Sequence, residues 1–354
     1  MSLVALLNEC ARLAGGGGVG ALASVVRRRG SLPMSATAKL LVTADGARFG
    51  TIGGGCLEAE VMERALDVCE RRVPVCTEHS LNAELAGDYG LTCGGTADVF
   101  IEPVLPSALM AELYAEAAAV VARGERAVMV TARAWPDGSP QKLLRTAARE
   151  FGLDTDHRLR AQLDAFDPLR EVPLMGDDYV VEALVGAPRV VVFGAGHVGA
   201  RICEAAAFAG FRVTIIDDRA EFADAQRLPR AEQVLVCDFG DVRAAAVAPG
   251  DYVVICTRGH QHDALIAAQV APVMPRYIGM LGSRRKGALT AKALRGWDVP
   301  EGAIARIVCP VGLDVGADTP AEIAVSVVGQ LIQVRRQTVT AARTPAVGAT
   351  TDAT

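Results

Sequence analysis

Val190-Val191-Val192-Phe193-Gly194-Ala195-Gly196-His197-Val198-Gly199 decides the fold of the second half of this chain. A short apolar run passing directly into G-x-G-x-x-G reads as a buried strand that turns at once into a helix. A second apolar run, Val213 to Ile216, follows at the distance of a strand-helix-strand unit and ends in Asp217. The glycines would let backbone approach a pyrophosphate at the helix N-terminus, with His197 beside it, and Asp217 would accept from a ribose hydroxyl. An acidic residue there disfavours a 2′-phosphate, so the ligand this pattern favours is NAD-like. The same grammar also fits a fold whose site is unused or repurposed, and the residues alone leave both readings open.

Outward from this stretch, strand and helix alternate. Arg212 to Asp217, Val234 to Cys237 and Tyr252 to Thr257 read as strands, with helices expected near Ala223, near Val242 and from Asp263. Such alternation specifies a parallel, doubly wound sheet with right-handed crossovers. Thr319-Pro320-Ala321-Glu322 is a capping box with proline at the first helical position. It opens a last helix whose apolar stripe is Ile323, Ala324, Val327, Val328 and Leu331. Residues 189–336 are therefore assigned to a Rossmann-like domain. Residues 337–354, which lack apolar periodicity, are assigned to a disordered tail.

The first half obeys a different pattern. Lys39 to Thr43, Asp45-Gly46 and Arg48 to Ile52 form a hairpin signal, because Asp-Gly supplies the positive φ angles of a two-residue turn. The second of these strands runs into Gly53-Gly54-Gly55-Cys56, after which Leu57, Val61, Ala65, Leu66 and Cys69 recur at helical spacing. Further strands are expected at Gly20 to Val26, Val73 to Thr77, Ala97 to Val104 and Ala127 to Ala132, with helices at Ser2 to Leu13 and Ser107 to Arg123. Residues 1–145 are thus an α+β domain, and the whole chain is of the α/β class. Residues 146–188, where periodicity weakens, are read as a linker region with one isolated strand, Tyr179 to Leu184.

Two cysteine-glycine turns stand out in the first half. Gly53-Gly54-Gly55-Cys56-Leu57-Glu58 offers several backbone N–H groups to an anion, and the helix dipole favours a thiolate at Cys56. Thr92-Cys93-Gly94-Gly95 repeats the grammar, so Cys56 and Cys93 are candidates to contact a metal, carry sulfur, form a disulfide or simply pack. There is no C-x-x-C pair to suggest a tetrahedral zinc site. In the second half, Gly282-Ser283-Arg284-Arg285 is a glycine turn with cations suited to a phosphate. His260 and His262 follow a strand of the doubly wound pattern, where they could bind metal, move protons or flank a loop capped by Asp263.

Composition narrows the function classes. The 354 residues carry 36 basic and 41 acidic side chains, a net charge of -5 that argues against nucleic acid as a dominant partner. The longest uncharged run, Leu13 to Val26, is about 14 residues and rich in glycine, too short to span a bilayer. Nine cysteines without a dense framework, behind an N-terminus lacking a basic leader, lead to the expectation of a reducing cytoplasm. The 36 glycines are about 10% of the chain against a usual 7% or so, and they cluster at the turns just described.

Taken together, VVRRRGSLP, LLVTADG, GTIGGGCLEAEV and CGGTADVFIEP in the first half, with VVVFGAGHVG, YIGMLGSRRK and CPVGLDVGADTPAEIAVSVV in the second, resemble the XdhC/CoxI family. The resemblance runs from about Ala21 to about Arg335. It implies a homodimeric accessory protein, more a cofactor-insertion chaperone than a catalyst. Such a protein binds the molybdenum cofactor, as molybdopterin or its dinucleotide form, supports its sulfuration with a cysteine desulfurase, and delivers it to an apo-molybdenum hydroxylase such as xanthine dehydrogenase. The competing reading is an NAD-dependent oxidoreductase built on the Rossmann-like half. A regulatory scaffold is the third.

Overall fold

The computed structural model describes the chain except Ser31, Pro33 and residues 82–94, 167–172 and 342–354. It divides into two units, Met1–Gly186 and Ala187–Thr354.

The first unit opens with α1 (Leu3–Gly15), whose N-cap Ser2 accepts from the Ala5 N–H. Then come β1 (Gly20–Gly30), β2 (Lys39–Thr43), β3 (Arg48–Thr51), α2 (Gly55–Arg71), β4 (Val75–Leu81) and β5 (Gly95–Val104). These strands form an antiparallel sheet of order β3-β2-β1-β5-β4. α3 (Ala108–Ala122), β6 (Arg126–Ala132), β7 (Lys142–Arg145), β8 (Glu150–Gly152), α4 (His157–Ala165), β9 (Leu174–Met175) and β10 (Tyr179–Val185) complete the unit. Their antiparallel sheet has the order β8-β7-β6-β10-β9.

Period-two alternation sorts the side chains of β1. Ala21, Ala23 and Val25 pack with Leu57, Val61, Ala65 and Val68 of α2, while Leu22 joins the core built on α1 and α3. That second core also takes in Met129, Leu144 and Leu184 of the second sheet, so α1 and α3 serve both sheets.

The region 146–188, expected as a linker with one isolated strand, instead carries β8, α4, β9 and β10 among its described residues. β10 is not isolated either: it lies between β6 and β9, and Val180, Val181 and Leu184 are buried. The periodicity looked weak because the flanking strands are only two or three residues long.

Two ion pairs, one buried and one half-buried, join the sheets. Lys142 on β7 meets Glu102 on β5 and also donates to Thr131 Oγ1 at 2.8 Å, with Lys142 and Glu102 0% and 2% exposed. Lys39 on β2 donates to Glu182 on β10 at 2.6 Å and to Ser24 on β1 at 2.7 Å.

The second unit contains β11 (Arg189–Phe193), α5 (His197–Phe208), β12 (Arg212–Asp217), β13 (Gln233–Val236), β14 (Tyr252–Ile255), α6 (His260–Val270), β15 (Tyr277–Met280), α7 (Arg284–Gly296), α8 (Glu301–Ile304), β16 (Ile307–Val308) and α9 (Pro320–Ala341). Its sheet is parallel, of order β13-β12-β11-β14-β15-β16. α5 and α9 pack on one face, and α6, α7 and α8 on the other. The strand order reverses between β11 and β14, which is where doubly wound sheets open a ligand crevice at their carboxyl edge.

Two expected helices are missing. Residues near Ala223 form successive turns, held by Asp224 accepting from the Gln226 N–H, and Arg243–Ala245 is a single short 3₁₀ turn. The capping box forms as read: Glu322 accepts from the Thr319 N–H at 2.9 Å and its own N–H donates to Thr319 Oγ1 at 3.3 Å. α9 then continues to Ala341, five residues into the expected tail, because nothing between Arg336 and Ala341 breaks a helix; the remainder of that segment, 342–354, lies outside the described residues. Among the described residues, no helix is long and apolar enough to cross a membrane.

The Lys142–Glu102 pair yields a test. Lys142→Met leaves the Glu102 carboxylate buried and unanswered, an expected loss of about 3–5 kcal/mol, measured as a lowered urea midpoint. Adding Glu102→Leu should recover most of it, and an unchanged midpoint in the single variant would sink the idea.

Candidate functional site

Strand register brings the Gly53–Cys56 turn and Gly95 to a common edge. Lys39 pairs with Ser24 and with Thr51, and Gly95 pairs with Gly30 and with Leu81. The ends of β1, β3 and β4 and the starts of β2 and β5 therefore share one edge of the first sheet. The Gly53–Cys56 turn leaves from this edge, and Gly95 enters it on β5, with β1 and β2 lying between β3 and β5. Leu32 and Met34, between β1 and β2, approach these glycines. A Cβ on Gly95 would stand 3.0 Å from Leu32, and one on Gly53 would stand 3.1 Å from Met34. Cys93 and Gly94 lie outside the described residues.

The Gly53–Cys56 turn needs its glycines. Gly53, Gly54 and Gly55 have φ of 121°, 76° and 66°, which L side chains rarely adopt. A Cβ on Gly54 or Gly55 would meet nothing within 4 Å, so open space lies over both. Gly54 is the N-cap of α2 and has no side chain to satisfy the first-turn donors. Cys56, the second helical residue, is exposed with a free thiol.

Glu58, expected to face a ligand, instead folds back beneath the turn. Its Oε2 accepts from Thr51 Oγ1 at 2.6 Å and from the N–H groups of Ile52 and Gly54, each at 3.2 Å. Burial pushes its pKa up, but these hydrogen bonds from Thr51, Ile52 and Gly54 outweigh burial and hold it below the usual carboxylate range. Part of the cradle is thus filled by the chain's own carboxylate, leaving the open Gly54–Cys56 surface for anything external.

The Rossmann turn divides its glycines by role. Gly194 has φ 109°, and a Cβ there would lie 2.4 Å from the Cys256 carbonyl oxygen. A Cβ on Gly199 would lie 1.8 Å from the Gly194 oxygen, so the close seating of α5 on β11 forbids a side chain. Gly196 has open space around it and His197 beside it is exposed, leaving this part of the turn accessible.

Asp217 is 1% exposed. One oxygen accepts from the Ala195 N–H at 2.8 Å, the other from the Arg219 N–H at 3.1 Å and its Nε at 2.9 Å. Burial raises its pKa, but donation from Arg219 and the Ala195 N–H prevails and lowers it. The expected ribose acceptor is therefore engaged in bracing the glycine turn, because Arg219 sits two residues away and reaches back.

Further along the same edge, Asp263 is fully buried. It accepts from the Thr257 N–H at 3.2 Å and Thr257 Oγ1 at 2.7 Å, and it pairs with Lys286. The loop cap read from sequence is present; the lysine answering it was not foreseen, since it lies on the next helix. His260 is exposed, and His262 packs edge-on against Phe239 at 5.5 Å. Gly282 precedes the N-cap Ser283, which accepts from the Lys286 N–H at 3.3 Å, and Arg284 and Arg285 are exposed on the first turn of α7. Among the described residues, no group of three or more His, Cys, Asp or Glu is placed to hold a metal ion.

Residues 190–331 match the XdhC Rossmann domain and residues 14–79 match the XdhC and CoxI family. The chain belongs to the XdhC and CoxI family. It is similar to a crystal structure described as a xanthine dehydrogenase from Bacillus halodurans, with a TM-score of 0.77 and 25% identity over 99% of this chain and 98% of that one. A Bacillus subtilis protein, described as a probable component of xanthine dehydrogenase, is 27% identical over 89% of this chain and 93% of its own length. The uncharacterized protein YqeB of Escherichia coli is 29% identical over 89% of this chain, which spans only 43% of that relative.

Two outcomes are expected of this family member. Because the folded Glu58 pKa is depressed, its contribution to stability is present above the unfolded value and is lost as pH falls through the folded one. NMR titration should place the Glu58 midpoint below about 4.3, with the Gly54 amide shift tracking it; a midpoint at the ordinary value would refute the back-fold. Secondly, Gly199→Ala should cost the upper end of about 1–3 kcal/mol in thermal or chemical unfolding, whereas Gly196→Ala should leave stability unchanged. Equal effects would contradict the division of roles.

Proposed function

We propose that this protein binds the molybdenum cofactor, shelters it during sulfuration by a cysteine desulfurase, and delivers it to an apo-hydroxylase of the xanthine dehydrogenase type. Family membership supports the coarser part of this reading, a role in xanthine dehydrogenase maturation. The observation that carries the finer part is the exposed Cys56 thiol at an uncapped helix start, beside two left-handed glycines with open space above them. A phosphate-bearing ligand with a soft metal or a transferable sulfur is served by that combination of N–H donors and thiol. When bound, the cofactor supplies the molybdenum centre that the client enzyme uses. Gly55 and Cys56 would present N–H groups to its phosphate, Cys56 would contact the metal or its sulfur, and Glu58 would hold the turn in shape. A homodimer working in the cytoplasm with its client and a desulfurase completes the proposal.

A second reading, an NAD-dependent oxidoreductase, is favoured by the accessible Gly196 turn at the sheet's carboxyl edge. Against it stands Asp217, whose two oxygens already accept protein donors.

The deciding measurement is incubation of the purified protein with molybdenum cofactor, gel filtration, and pterin fluorescence of the protein peak. Cys56→Ala should retain about tenfold less pterin than the parent and fail to activate apo-hydroxylase. Full retention and full activation by Cys56→Ala would sink the assignment, and NAD turnover without pterin binding would favour the second reading.

A further inference from the structure

A cavity of about 690 Å³ opens between α6 and α7 in the second unit. That volume falls within the roughly 300–1,000 Å³ of small-molecule sites. Its wall is apolar, and Leu265, Trp297 and Leu289 on it remain 39, 49 and 58% exposed, so folding alone does not cover them. Large apolar side chains gathered around one concavity mark a surface that a ligand or partner buries.

The charges at its end are unequal in kind. Lys286 is neutralised, since its ammonium meets the buried Asp263 carboxylate and donates to the Leu281 carbonyl at 2.8 Å. Arg285 lines the same cavity and has no ion-pair partner among the described residues. α7 supplies none, because its sequence RRKGALTAKALRG contains no acidic residue. Ser283 stands beside it as a hydroxyl donor. The cavity therefore combines an apolar slot edged by an indole with one unanswered guanidinium. An indole stacks on flat rings, and a guanidinium grips phosphate through two parallel N–H bonds.

We propose that the α6–α7 cavity is a binding site for a planar heteroaromatic molecule carrying a phosphate, its ring against Trp297, Leu265 and Leu289 and its phosphate on Arg285 and Ser283. The site lies on the α6–α7 face of the sheet, whereas the fingerprint helix α5 packs on the other face. It stands apart from the reading at Cys56: it depends on ring and phosphate binding, and that reading depends on cofactor retention.

The chain provides its own reporter. It has two tryptophans, of which Trp135 is buried at 4% exposure and Trp297 is half-exposed. The full-length protein is titrated with 6-hydroxymethylpterin monophosphate and with guanosine 5′-monophosphate, then with the unphosphorylated parents and with inorganic phosphate, following tryptophan fluorescence and calorimetric heat. At least one phosphorylated ring should bind saturably with quenching that Trp297→Phe removes. Omitting the phosphate or the ring should weaken binding about tenfold or more, as loss of a charge-assisted contact does. Arg285→Ala should weaken the phosphorylated ligand about tenfold and leave its parent unchanged, Leu289→Glu should weaken both, and Gly196→Ala should change neither. Whichever ring is preferred, pterin or purine, identifies the source of the ligand within the class. Absence of saturable binding up to millimolar ligand, or binding lost in Gly196→Ala but indifferent to Arg285→Ala, would overturn the proposal. Arg285 is exposed, so its variant remains informative even if Leu289→Glu folds poorly.

Discussion

A carboxylate withdrawn from water must be answered by a cation or by several donors, and this structure is organised around that requirement. In the first unit, Glu102 and Glu182 leave one sheet or the other to meet Lys142 and Lys39 across the gap, so two sheets that share no strand are fixed to each other by charge. In the second, Asp217 braces the glycine turn after β11 and Asp263 braces the loop after β14, with Arg219 and Lys286 as their cations. The carboxyl edge of the parallel sheet is therefore held rigid from within. What it offers to a ligand is backbone, guanidinium and apolar surface, and its buried carboxylates are already committed.

Glu58 obeys the same requirement on a smaller scale, using Thr51 and two backbone N–H groups in place of a cation. The consequence for the site is direct. The glycine turn is held by the chain's own carboxylate, and Cys56 stands at the surface on the helix start that follows it. Preorganisation of this kind lowers the cost of binding.

Much of the fold was legible because local rules suffice where glycine, proline and alternation speak. The Asp45-Gly46 hairpin, the strand-to-helix turn at Gly194 and the capping box at Thr319 are each set by a few adjacent residues; the last two form as read, while the hairpin forms with a three-residue loop, Ala44 to Gly46, in which Gly46 and not Asp45 takes the positive φ. Reading failed where strands are very short, as at Leu174–Met175, and where a side chain two residues away captured a group assigned to a ligand, as Arg219 captures Asp217. It also failed near Ala223, where an Asx turn competes successfully with a helix.

The sequence by itself determined the two-part organisation, the doubly wound second half and the positions of the glycine turns, because backbone conformation and apolar periodicity are properties of neighbouring residues. Only the tertiary structure decided that Gly53 and Gly95 open on one edge of a sheet, that residues 146–186 complete a second sheet, and that Lys286 answers Asp263 across two helices. It also decided the fate of each carboxylate. Whether such a group turns outward to a ligand or inward to a partner depends on which cation lies within reach once the chain has folded, and that distance is not written in the spacing of residues along it.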